Sequence, residues 1–292
     1  MNRTLIGPLA GLLSVICAVY VSAETGVITV NYPNPLSAVA GVLGSKYGVG
    51  ISYEGPEYEY PNDLVDISRN EMPTAASLDR CEATMDVVAR FCYFSTSYTV
   101  DKITGEPTNI VTALREIVEA YNSGDNPGKF AVLETRAGPS IVATAVKDRS
   151  GRWRNVSPLL SRPISVSVTN GTNLEAWRAM CKSIQALTAI KFFPITLRQS
   201  RGGITLIVTN MPARDVIATL VSDPIFGGTN NRWDFFYTPC PPAYGLQEQS
   251  TVKGYPVNYH DDYPWSMVGN VTHPDYRGER AYTNAPLPNP AP

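Results

Sequence analysis

The chain has 292 residues, with 24 Lys and Arg against 26 Asp and Glu, and its formal net charge is −2. Because the charges are spread along the chain and nearly cancel, the sequence predicts no basic surface for nucleic acid or for an anionic membrane. The length exceeds that of a typical single domain, so we expect two domains.

Residues 1–23 have the pattern of a secretory signal peptide. Arg3 precedes an apolar run from Leu5 to Val19, and small residues ending at Ala23 form a cleavage site. The run is short for a bilayer span of about 20 residues, and no second such run follows in the sequence. We therefore expect a secreted or periplasmic protein that is cleaved near Ala23 and has no membrane span.

Residues 24–147 predict a first structural unit. The segment "GVITVNY" alternates as a strand does, Pro35 opens a helix that stops at Gly48, and "VGISYE" is the next strand. After an insertion at 55–91 come the strand "CYFSTSYTV" and a helix capped by Thr108 or Asn109. The segments "KFAVLET" and "SIVATAV" then form a hairpin.

The insertion begins with alternating tyrosines and glutamates. An exposed Tyr-rich loop offers contact area at low entropic cost, which makes Tyr58 and Tyr60 candidate recognition residues. The alternative is that both rings pack under the loop while the acidic residues face water. Its later part, Ser77 to Phe91, has apolar residues at helical spacing and predicts a helix.

Residues 148–162 are polar and rich in turn formers, which predicts a linker, and residues 163–249 repeat the order of elements seen in the first unit. The strand "PISVSVT" leads to a helix capped by Asn173, and Pro194 marks "IKFFPITL" as an edge strand or a bulge. A third strand, "GGITLIVTNMPA", runs into a short helix at Pro212. The strands "NRWDFFYT" and "AYGLQEQ" close the unit.

The two units together predict an α+β fold made of two tandem βαβ-βαβ units, each with two helices and a small mixed sheet. Residues 250–292 follow as a Pro- and Tyr-rich extended tail, either solvated or docked in an aromatic groove of a partner. The order of elements, rather than residue identity, carries the repeat.

On these segments the second unit resembles the short N-terminal (STN) domain of secretins and TonB-dependent receptors. The resemblance lies in "NLEAWRAMCKSIQALTAIKFF" and "ITLIVTNMPARDVIATLV", and "NPLSAVAGVLGSKYGVGISYE" with "NIVTALREIVEAYN" resembles a more divergent copy. The whole chain also resembles exported bacterial proteins with an "ISYEDP"-like segment, here Ile51 to Pro56. The resemblance implies that the module contacts partner proteins in the periplasm.

Four cysteines follow Cys17 of the leader, and in an oxidising compartment they are disulfide candidates with three possible pairings: Cys81, Cys92, Cys181 and Cys240. An unbroken helix over Ser77 to Phe91 would hold Cys81 and Cys92 roughly 16 Å apart, beyond the reach of a disulfide. Either that helix ends early and the two cysteines pair, or each pairs elsewhere.

The sequence does not predict a catalytic set. The histidines, His260 and His273, both lie in the tail, and a triad with Ser266 or a metal site around "YHDDYP" lacks a scaffold. Five carboxylates are candidates for glycosidase-type chemistry by number only: Glu54, Glu57, Glu59, Asp63 and Asp66. We expect no catalytic residue, metal or cofactor.

The leading hypothesis is an exported, non-enzymatic module that binds an envelope or extracellular protein, with "IKFFPITL" as a candidate strand for pairing with that partner. The candidate binding residues are Tyr53, Glu54, Tyr58, Tyr60, Phe192 and Phe193. One alternative is a secreted hydrolase of polysaccharide or peptidoglycan that uses the carboxylates of residues 54–66. Another is a self-associating structural component of the envelope.

Overall fold

The computed structural model describes residues 23–66, 74–75, 87–188, 190–195, 203–222, 231–239 and 242–250. Within these residues the protein is a mixed α+β structure with four helices, which confirms the predicted class. The helices are α1 (Pro35–Tyr47), α2 (Ile110–Ser123), α3 (Asn173–Thr188) and α4 (Ala213–Ser222). The strands are β1 (Ala23–Pro33), β2 (Ser52–Glu54), β3 (Leu64–Asp66), β4 (Thr74–Ala75), β5 (Val87–Ala89), β6 (Phe91–Asp101), β7 (Lys129–Thr135), β8 (Gly138–Lys147), β9 (Trp153–Asn155), β10 (Pro163–Gly171), β11 (Lys191–Ile195), β12 (Ile204–Pro212), β13 (Asn231–Pro239) and β14 (Pro242–Ser250).

The helix ends follow local sequence signals. Pro35 opens α1, and Gly48 ends it with a left-handed φ of 69° while its N–H bonds the carbonyl of Gly44. The side chain of Asn109 accepts the N–H groups of Val111 and Thr112 and caps α2, as one of the two predicted alternatives states.

The cap of α3 lies one residue earlier than predicted. Asn173 is the first helical residue rather than the cap, because Thr172 and Glu175 form a reciprocal capping box. The N–H of Glu175 donates to Thr172 Oγ1 (3.2 Å), and the N–H of Thr172 donates to the Glu175 carboxylate (2.6 Å).

A seven-stranded sheet runs through both halves of the chain. Its order is β11-β14-β13-β2-β8-β7, with β9 also paired to β8. Three strands come from residues 163–250 and four from residues before them, and they meet where β2 pairs in parallel with β13. The sequence predicts a separate small sheet for each unit; the tertiary structure joins them through this one pairing.

Two antiparallel ribbons lie apart from that sheet. In the first half β1 pairs with β6, and in the second half β10 pairs with β12. The helices of each half pack between a ribbon and the large sheet, and bury one apolar core per half. Trp177 and Trp233 are the largest buried side chains of the core that includes α3 and α4.

The insertion at 55–91 has a small sheet of its own, in which β4 and β5 flank β3. The predicted helix from Ser77 to Phe91 is wrong at its end, because Val87–Ala89 and the residues from Phe91 onward are strands. Residues 76–86, with Cys81, lie outside the described residues. The helical spacing of the apolar residues there did not outweigh strand pairing with residues distant in sequence.

The predicted linker at 148–162 is an ordered part of the fold. It contributes β9 to the large sheet and a short 3-10 turn, Leu159–Ser161, whose Leu160 is fully buried. No helix in the described part of the chain is both long and apolar enough to cross a bilayer. Residues 1–22 of the predicted signal peptide and the tail after Ser250 lie outside the described residues.

Candidate functional site

The candidate binding residues predicted from the sequence lie mostly in the interior. Tyr53, Glu54, Tyr58 and Phe192 are each at most 6% exposed. The ring of Phe192 stacks on Phe235 in the core of the second half. These four side chains therefore do not form the exposed recognition surface that the sequence suggests: the three aromatic rings pack in apolar clusters, and Glu54 pairs with Arg214.

The other two candidate binding residues are Tyr60 and Phe193. Tyr60 is half-buried, and its ring lies 5.5 Å from the ammonium of Lys147 while its hydroxyl accepts a hydrogen bond from Asn62. Phe193 lies in β11, but its side chain is outside the described residues. Of the two alternatives for the Tyr-rich segment, Tyr58 follows the one in which the ring packs under the loop.

Glu54 stands at the junction of the two halves. Its carboxylate forms an ion pair with Arg214 of α4 and also accepts the backbone N–H of Leu160 at 2.9 Å. Burial raises the pKa of Glu54 above its ordinary value, although Arg214 and the Leu160 N–H act in the opposite direction. The arrangement ties β2, α4 and the segment after β9 together.

The remaining carboxylates of residues 54–66 include two further ion-paired groups. Glu59 pairs with Arg154, and Asp63 lies 3.7 Å from Arg90 and 3.6 Å from Lys147. Burial raises the pKa of Asp63. Within the described residues no three His, Cys, Asp or Glu side chains converge as metal ligands would.

Cys92 and Cys181 are buried, and within the described part of the chain neither forms a disulfide, so they are not bonded to each other. Burial raises the pKa of both thiols, which opposes formation of the reactive thiolate. Cys81 and Cys240 lie outside the described residues. The tail histidines with Ser266, and the metal site considered there, lie outside them as well.

The ends of the large sheet are protected against further strand pairing. Within the segment "IKFFPITL", Lys191–Ile195 form one end of the sheet as β11, as the proline predicts, and Pro194 has no N–H to donate. At the other end, the Asn122 amide bonds both backbone groups of Phe130: Nδ2 donates to its carbonyl (2.8 Å), and Oδ1 accepts its N–H (2.9 Å). At Phe130 a side chain thus takes the place of a neighbouring strand on β7.

The outer edge of β1 is open by comparison. Its pairing with β6 runs through eleven consecutive residues without a shift. Thr99 of β6 donates its N–H to Glu116 of α2 at 2.8 Å, so its backbone groups point away from β1. The direction of the backbone N–H and C=O groups alternates along a strand, so those of Ser97, Ser95 and Tyr93 also point away from β1. The residues of β1 opposite these four therefore direct their backbone groups away from β6: Thr25, Val27, Thr29 and Asn31.

These four residues of β1 form a continuous site for another strand. Within the described part of the chain their outward N–H and C=O groups have no hydrogen-bond partner. Their side chains are exposed, and Val27 is 67% exposed. No charged residue and no proline lies between Thr25 and Tyr32, although such residues commonly protect natural edge strands.

The edges of the second ribbon, β10 and β12, are less open to pairing than the outer edge of β1. Its register shifts twice, and Asn170 and Asn210 adopt left-handed conformations with φ of 51°. The N–H of Asn210 donates to Ser165 Oγ (3.1 Å), and that of Asn170 donates to Thr205 Oγ1 (3.2 Å). Bulges of this kind twist a strand and interrupt its edge, so β10 and β12 are poorer templates for pairing.

The segment "GVITVNY" predicts a strand but carries no local sign that the strand lies at an exposed edge. What it does contain is the row of uncharged, mostly β-branched residues at alternate positions from Thr25 to Asn31. The position of β1 at the outside of a ribbon depends on its pairing with β6, about 70 residues away along the chain, and no local pattern reports it.

Comparisons of the chain with models of protein families, with curated proteins and with solved structures gave no significant match.

Proposed function

We propose that this protein is an exported, non-enzymatic module that binds another polypeptide of the envelope or the extracellular space by accepting a strand at the outer edge of β1. The observation that carries the proposal is the row of unpaired backbone groups at Thr25, Val27, Thr29 and Asn31. A peptide that adds to such an edge gains main-chain hydrogen bonds for affinity and side-chain contacts for specificity.

The contrast with the other strand edges supports this choice. Asn122 and Pro194 obstruct the two ends of the large sheet, and bulges interrupt the second ribbon. An unprotected edge of this length exposes a protein to aggregation, so its retention favours a use for it. Export rests on the signal-peptide pattern of residues 1–23.

We further propose that the two halves are copies of one STN-like unit. In the first half β2 lies parallel to β8, which is antiparallel to β7; in the second half β11 lies parallel to β14, which is antiparallel to β13. Each half also has one ribbon and two helices among its described residues. The shared strand order supports duplication, and the helix segments quoted above support the STN likeness.

Three of the five candidate carboxylates give the hydrolase alternative no support, because Glu54, Glu59 and Asp63 are each held by a basic side chain. Glu54→Gln and Asp63→Asn variants assayed on polysaccharide and peptidoglycan test that alternative directly. Turnover that disappears in either variant would favour it over strand pairing.

The test of the proposal uses two matched exposed positions. Val27→Lys places a charge on the open edge of β1, and Ile207→Lys places one at an equally exposed apolar residue of the bulged ribbon, 66% exposed against 67%. Both changes are at the surface and should leave stability within about 0.5 kcal/mol. Cross-linking in the native envelope, followed by mass spectrometry, then identifies what each variant binds.

We expect the cross-linked partner of the unaltered chain to be lost in Val27→Lys and kept in Ile207→Lys. A chain cut after Gln249 should also keep it, because β1 is untouched. A partner that survives Val27→Lys would overturn the proposal, and one that depends on the cut would assign recognition to the tail.

A further inference from the structure

We infer that the strand which pairs with β1 is β1 of a second copy of this chain, related to the first by a twofold axis at Ile28. The two ribbons then form one four-stranded antiparallel sheet. The inference rests on the proposed function, since it uses the same edge and names its occupant.

The register of the edge fits such a twofold arrangement. An antiparallel partner centred on Ile28 places Thr25 opposite Asn31 and Val27 opposite Thr29, once in each direction. All four outward-pointing residues of one copy then face the four of the other. No outward N–H or C=O between Thr25 and Asn31 is left without a partner, so the edge is complementary to itself.

The side chains of this edge also suit a copy of themselves. Across a twofold axis, a charge near the centre meets the same charge from the partner, which is destabilising. The strand carries none from Thr25 to Tyr32, and its single acidic residue, Glu24, lies at the far end, opposite Tyr32 in this register. Val27 and Thr29 form a β-branched cross-strand pair, a combination that favours sheets.

The structure also indicates that association stops at two copies. A twofold interface uses the same patch on both partners and is closed once formed. On the far side of the ribbon, Glu116 accepts hydrogen bonds from both the N–H and the hydroxyl of Thr99, at 2.8 and 3.1 Å, and so obstructs the Thr99 end of β6 for further pairing. A two-stranded ribbon is the smallest possible sheet, so extension to four strands adds stability.

The experiment uses the exported full-length chain and two single cysteine variants, Val27→Cys and Thr29→Cys. In the inferred register residue 27 of one copy faces residue 29 of the other, at the spacing of directly opposed strand residues, which a disulfide can bridge. We expect a covalent dimer when the two variants are mixed under mild oxidation. Each variant alone, and the unaltered chain as a control for native cysteines, should give none.

Light scattering supplies the independent readout. We expect the mass of a dimer for the unaltered chain and for Ile207→Lys, and the mass of a monomer for Val27→Lys. A monomeric unaltered chain would overturn the inference, as would a dimer that persists in Val27→Lys. A covalent dimer that forms in unmixed Val27→Cys or in unmixed Thr29→Cys would overturn the register centred on Ile28.

The outcomes separate this inference from the proposed function. If the unaltered chain is a monomer but Val27→Lys still loses its envelope partner, β1 binds a different polypeptide and only the second-copy assignment is wrong. If Val27→Lys keeps the envelope partner and no dimer forms, both are wrong.

Discussion

Glu54 and Arg214 form a buried ion pair across the junction of the two halves of the chain, with side chains 2% and 9% exposed. Other polar contacts lie along the same junction. Ser37 donates its hydroxyl to Asp234 at 3.3 Å, and the N–H of Trp233 donates to Ser52 Oγ at 3.3 Å. The junction between the halves is therefore specified by paired polar groups as well as by the parallel pairing of β2 with β13.

Replacing Arg214 by Met should lower the free energy of unfolding by about 3–5 kcal/mol, because the Glu54 carboxylate is left buried without its cation. Urea denaturation measures the change. The matched control is Arg154→Met, which breaks the more exposed pair with Glu59 and should cost at most about 1 kcal/mol. Equal decreases in the free energy of unfolding of the two variants would contradict the expectation that the buried pair contributes more than the exposed one.

The stability of the protein should depend on pH through Glu54. Because burial raises its folded pKa above the ordinary 4.5, the folded state favours the protonated carboxyl. Its contribution to the unfolding free energy is complete below pH 4.5 and is lost as the pH rises through the folded pKa. The unfolding free energy of the unaltered chain minus that of Glu54→Gln should therefore fall with rising pH and then level off.

Asp63 also has a raised pKa, but it titrates in both proteins and its effect cancels in this difference. Urea unfolding in steps from about pH 3.5 to pH 8 tests the sign. A difference that grows with pH would mean that Arg214 outweighs burial and lowers the pKa of Glu54.

The Asn122 side chain should hinder the pairing of another strand with the edge of β7. Asn122→Ala removes two hydrogen bonds to Phe130, so we expect a loss of about 1–3 kcal/mol and the appearance of species larger than those of the unaltered chain. Size-exclusion chromatography with light scattering detects them. In the control Asn126→Ala, one hydrogen bond to the Tyr121 carbonyl is lost while the edge stays covered, and no larger species should form.

The free thiols of Cys92 and Cys181 predict a labelling pattern. An alkylating reagent added without reductant should modify both residues in urea and leave both largely unmodified in the native protein, because they are buried and their pKa values are raised. Peptide mapping by mass spectrometry resolves each site. Recovery of either cysteine in a disulfide-linked peptide would contradict the structure.

Elements with strong local signals were predictable from the sequence. The start of α1 at Pro35 and its end at Gly48 follow from backbone constraints of those residue types, and the hairpin of β7 and β8 follows from alternation on both sides of a turn. One helix prediction failed because its local signal competes with pairing between distant segments. Ser77 to Phe91 has helical spacing, yet its last residues pair as strands with β3 and β1.

The sequence by itself determined the class of the fold and the order of most of its helices and strands, because these depend on side-chain periodicity and on residues a few positions apart. The tertiary structure alone decided that Tyr53 lies opposite Asp234 in the pairing of β2 with β13, and that Glu54 is buried against Arg214. It also decided that β1 lies at an open edge. Each of these depends on contacts between segments far apart in the chain, and such contacts leave no periodic signal in either segment.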